Sequence, residues 1–151
     1  MSGAYRTETA LMPTSFTQSR LGLTTGQFLF LVIIGAVLWF LAAALLRTIG
    51  PTGAFEGTRR FTVYAITIPG TLPFIWMTKT LVKLPANRIG IGYSVATATA
   101  LLLDGVAVAW FPELYGTDPV QVTNSAAAIL WGAGVGMVLA FAINRQPTKS
   151  V

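Results

Sequence analysis

"FLFLVIIGAVLWFLAAALL", residues 28–46, contains no charged side chain and only one glycine. About 20 apolar residues are needed to cross the roughly 30 Å of hydrocarbon in a bilayer. The h-region of a cleaved signal peptide is shorter, about 7–15 residues. The run therefore reads as a retained first span, even though Ala42-Ala43-Ala44 imitates a cleavage site. This decides the solvent of the fold: lipid on the outside, and backbone polar groups satisfied within helices.

Composition agrees with that reading along the whole chain. Of 151 residues, 54% are hydrophobic and 10% charged, against about 25% charged in ordinary soluble domains. Three further runs follow, giving spans at about 27–46, 61–82, 89–111 and 124–143. Turn residues separate them: Gly50-Pro51, Gly53 and Gly57 after the first, and "PELYGTDP" before the fourth. Pro69 and Pro73 sit inside the second, where they kink a membrane helix, Pro69 freeing the carbonyl of Ala65. The sequence thus predicts an all-α, four-span transmembrane bundle over 27–144. Residues 1–26 form a polar cytoplasmic tail and 145–151 a cytoplasmic C-terminal tail.

Lys and Arg near span ends set orientation. The two tails and the second connection hold Arg6, Arg20, Lys79, Lys83, Arg88, Arg145 and Lys149; the opposite side holds Arg47, Arg59 and Arg60. This asymmetry places both termini in the cytoplasm and the chain in a bacterial inner membrane. The same scatter at span ends argues against nucleic acid as a partner, despite a formal net charge of +5.

The chain contains neither cysteine nor histidine. Disulfides, thiol chemistry, thiolate or imidazole metal sites and the usual neutral-pH general base are therefore excluded. No metal or cofactor is expected, and no catalytic residue stands out.

Two features remain. Small residues recur every fourth position on the fourth span (Ala128, Gly132, Gly136, Ala140) and on the third (Gly92, Ala96, Ala100). Such faces let helix backbones approach closely in lipid. A short connection joins these spans, so the two faces are expected to pack against each other; a homodimer is the alternative use. "GAGVG" (residues 132–136) lacks the strand that a phosphate-binding glycine loop requires before it.

The second feature is Asp104, alone among the apolar residues of "LLLDGVAVAW" (residues 101–110). A mid-helix Asp costs about 2.5–3.5 kcal/mol to insert, so it must face the bundle and find a partner. Counting roughly 10 Å down each span at 1.5 Å per residue puts Trp39, Thr67 and Trp131 at its depth. An indole N–H only donates, which suits a carboxylate. The expected intramembrane polar layer is Asp104, Trp39, Thr67 and Trp131, with Trp131 or Trp39 donating to the acid. Arg47, Arg59 and Arg60 can snorkel toward it from the same side. Trp110, Phe111 and Tyr115 read as an interfacial aromatic belt.

"LLLDGVAVAWFP" and "AAAILWGAGVGM" together resemble a family of small bacterial four-helix membrane proteins classed as a domain of unknown function. The resemblance covers roughly residues 30–143 and rests on Asp104, Phe111-Pro112 and Leu130-Trp131. The polar N-terminal tail and Gly105 depart from it. It implies a four-span membrane fold and supplies no activity. Small multidrug transporters are a poor match, since the first span has no Glu.

The functional expectation is a multi-pass, non-enzymatic membrane protein acting through helix contacts, as an accessory subunit of a membrane complex. Its partners are the bilayer and a membrane protein or a second copy. The alternative is a small proton-coupled transporter or permease using Asp104.

Overall fold

A computed structural model describes residues 21–144. The tail residues 1–20 and 145–151 of the sequence reading lie outside the described residues. The described chain is all helical, with no strand: α1 (Thr25–Ile49), α2 (Gly57–Gly70), α3 (Leu72–Leu81), α4 (Ile89–Trp110) and α5 (Pro119–Ile143). Four segments are long and apolar enough to cross a membrane: Thr25–Thr52, Gly57–Leu81, Ile89–Trp110 and Pro119–Ile143. The second comprises α2 and α3 together.

Local chemistry sets the helix ends. Thr24 and Gln27 close a capping box, Gln27 N–H donating to Thr24 Oγ1 at 3.2 Å and Thr24 N–H to Gln27 Oε1 at 3.1 Å. α1 runs into a 3-10 turn at Gly50–Thr52 that ends on Gly53, at φ +72°. Here a left-handed residue without a Cβ costs least. Asp118 caps α5, its carboxylate accepting from Gln121 N–H, and Pro119 takes the first helical position. In the second span Pro69 and Pro73 bracket Thr71, where α2 stops and α3 begins. Thr71 N–H still bonds the Thr67 carbonyl and Ile75 N–H the Thr71 carbonyl, so the break is a kink in one span.

The helices run up and down in sequence. At the upper end lie the α1–α2 and α4–α5 connections, stitched by Arg60 Nη2 to Asn124 Oδ1 at 3.1 Å and by Arg47 donating to the Glu113 carbonyl. At the lower end Arg88 donates to the Leu21 carbonyl at 2.8 Å and Gln27 Nε2 to that of Val82 at 3.3 Å. Residues 21–26 are thus drawn into the fold: Leu23 is buried with Leu31, Ile34, Val82 and Leu84. A polar tail extending to 26 does not describe them, because one leucine among the polar residues has a hydrophobic slot to fill.

α4 is the centre of the bundle, with α1 on one side and α5 on the other. A Cβ at Gly35 of α1 would run into the Ala96 carbonyl, so the two backbones touch there. Outward, the helices present Phe61, Trp76, Leu102, Leu130 and Val138. α2 has no buried residue at all. Most of the apolar surface is turned away from the interior, the distribution expected where lipid replaces water.

Candidate functional site

The small faces of α4 and α5 do not meet as the sequence reading expected. On α4, Ala96 lies against Gly35 of α1, and Gly92 lies under the Leu84 side chain. α5 approaches a different edge of α4: Gly136 receives the Tyr93 ring and hydroxyl, and Gly90 lies against Phe141. Tyr93 follows Gly92 in sequence and so stands about 100° round the helix, on the side α5 occupies. Gly132 faces α2, where an added Cβ would stand 3.5 Å from Thr67 Cγ2. Ala140 is fully buried with Ile75, Ile89 and Tyr93, and Ala128 packs beside the cluster of Ala43, Leu46, Phe55, Ala107 and Tyr115. Ala100 is half-buried. The stripes work within the bundle, each against other neighbours. α4 packs against α1, α5 and α3, and its small face meets α1 at Ala96 rather than α5.

Asp104 is buried, with Tyr115 as its partner. The Tyr115 hydroxyl donates to Asp104 Oδ1 and accepts from the Trp39 indole N–H at 3.1 Å. The result is a directed chain: N–H of α1 to hydroxyl of the α4–α5 connection to carboxylate of α4. Trp39 is a polar neighbour of the carboxylate as well. Tyr115 itself is fully buried. The 3-10 turn Pro112–Leu114 folds its residue back into the bundle, and Gln121 Nε2 fixes its carbonyl from α5 at 2.8 Å. Tyr115 therefore does not belong to an interfacial aromatic belt. Trp110 and Phe111 do face outward, at 71% and 57% exposure. Burial and the neighbouring Asp104 hold the Tyr115 phenol well above the usual tyrosine range, so it stays a donor throughout ordinary pH.

Trp131 is not a partner of Asp104. Its indole N–H donates to the Tyr64 carbonyl of α2 at 3.0 Å, and its ring stacks on Tyr64 with centroids 5.5 Å apart. Thr67 belongs to the same place on α2, its hydroxyl donating to the Val63 carbonyl at 2.8 Å. The expected layer of four thus divides. Asp104 and Trp39 meet around Tyr115, while Trp131 and Thr67 fasten α2 to α5 near the Pro69 kink. Equal depth does not put side chains on facing sides of their helices.

The three upper arginines do not serve the acid either. Arg47 donates to the Glu113 carbonyl, Arg59 to that of Thr52 at 2.9 Å, and Arg60 Nε to that of Phe55 at 2.8 Å. These loop carbonyls lie closer to the arginines than the buried carboxylate and hold the guanidinium groups at the rim. The hydrogen-bond donors around Asp104 are neutral. Among the described residues no group of three His, Cys, Asp or Glu side chains could hold a metal.

Over the described residues, the fold and this site define an all-α chain with four candidate membrane spans and one buried acid. No known protein family, curated protein or solved structure matches it.

Proposed function

We infer that this is a multi-pass bacterial inner-membrane protein, with both termini cytoplasmic, serving as a non-catalytic accessory subunit of a larger membrane assembly. The observation that carries the reading is the partnering of Asp104. Its carboxylate accepts from a buried tyrosine that accepts in turn from Trp39, and the three residues come from three different segments. Used this way, the acid ties α1, α4 and the upper connection together. A buried polar group satisfied in this manner fixes one packing arrangement. The bundle then meets other proteins through its outward helix faces.

Purification in mild detergent tests this. A membrane-protein partner is expected to co-purify with the wild-type chain and to be lost when outward residues such as Trp76 or Leu130 are replaced by polar ones. A monomeric chain without a partner, together with a proton-dependent flux abolished in well-folded Asp104→Asn, would support the permease reading in its place.

A further inference from the structure

The upper connection does more than join two helices. Asp104 is the only acid within the four candidate spans, and it lies six residues, or about 9 Å, below the upper end of α4. The residue that reaches down to it, Tyr115, is carried by the segment between α4 and α5, residues 111–118. Three side chains from the bundle hold that segment down: Gln121 on the Tyr115 carbonyl, Arg47 on the Glu113 carbonyl and Trp39 on the Tyr115 hydroxyl. Gln121 also borders a cleft of about 250 Å³ at the upper end, lined by Gly50, Phe55, Glu56, Asp118 and Asn124. A space of this size admits several waters. Water can thus stand on one side of the glutamine that pins Tyr115, while the carboxylate is held at the hydroxyl of that tyrosine.

We propose that residues 111–118 are a lid over Asp104, latched by Tyr115, which admits water to the carboxylate from the upper end only when it lifts. The groups facing the acid are the Tyr115 hydroxyl from the lid and Trp39 from α1. α5 carries no charged residue, α3 carries only Lys79 in its last turn at the lower end, and Arg47 is turned to the lid's own backbone. Once the lid lifts, the carboxylate loses the hydroxyl and has no cation to replace it. It then takes its hydrogen bonds from entering water. This device does not depend on an accessory role, and partner co-purification leaves it untouched.

The full chain in nanodiscs, treated with a water-soluble carbodiimide and glycinamide, tests it. The site of amidation is read by peptide mass spectrometry. In the wild type, Asp104 is expected to react at least about tenfold more slowly than Glu113 and Asp118, as a group reached only through local opening does. Tyr115→Ala is expected to raise the Asp104 rate about tenfold or more. Tyr115→Phe, which keeps the ring and removes the hydroxyl, raises it less. Helical circular dichroism and the two reference rates stay constant. Should either tyrosine variant fail to fold, Gln121→Ala, which frees the Tyr115 carbonyl, gives the same readout. Wild-type Asp104 reacting as fast as Glu113 overturns the proposal. So does an unchanged Asp104 rate in the folded variants.

Discussion

A single carboxylate in an apolar helix dictates that something must donate to it, and Tyr115 does. Tyr115→Phe leaves the Asp104 acceptor short of its donor, and destabilisation of about 1–3 kcal/mol is expected in detergent unfolding. Asp104→Asn keeps an acceptor oxygen. A double-mutant cycle between the two is expected to show coupling of about 0.5–3 kcal/mol, and additive losses would mean the contact carries none. The phenol also sets an alkaline limit. Its native pKa lies above the unfolded value of about 10, so its contribution is complete below that pH and is lost as pH rises further. Unfolding midpoints are expected to decline above about pH 10 in the wild type and less steeply in Tyr115→Phe. At this scale the sequence showed that Asp104 needed shelter and that Trp39 stood at its depth. It did not show Tyr115, because depth along a span says nothing of a donor carried on a loop folded inward. The cue was present: Pro112 and Gly116 flank a tyrosine eleven residues beyond the acid.

Among the elements, the four spans were legible because lipid demands uninterrupted apolar helices. Their ends were less so. α5 begins at Pro119 and the second span at Gly57, earlier than hydropathy alone indicates; Asp118-Pro119 starts a helix whose first two turns carry Gln121, Thr123, Asn124 and Ser125. Helix pairing was the least legible feature. A stripe of small residues advertises a close approach without naming the neighbour, and only the rotation of each helix assigns Gly35 to Ala96 and Gly136 to Tyr93. The glycines therefore differ sharply in what they tolerate. Gly35→Ala drives a methyl into the backbone of α4 and is expected to cost about 1–3 kcal/mol. Gly134→Ala, with nothing within 4 Å of the new methyl, is expected to be neutral or to stabilise by up to about 1 kcal/mol. Unfolding in a denaturing detergent ranks the two, and equal effects would contradict the α1–α4 crossing.

For the whole molecule, the arginine stitches at one end and the Arg88 and Gln27 contacts at the other mark the two ends of the bundle. Because the chain has no cysteine, single cysteines report sidedness cleanly. A thiol at Thr117 is expected to react with an impermeant maleimide on intact spheroplasts, and one at Asn87 only after the membrane is opened. The reverse pattern would invert the proposed orientation.

α2 has no fully buried residue, meets α5 through Tyr64 and Thr67, and is jointed to α3 at Thr71. Its tilt is therefore set by what surrounds the bundle as much as by the bundle. A thinner bilayer can be met by folding further at the proline joint, a thicker one by straightening, each for a fraction of a kcal/mol per ångström. With the α1–α4 pair clamped and the second span broken at Thr71, a change in membrane thickness is expected to alter the bend at that joint on one side of the molecule.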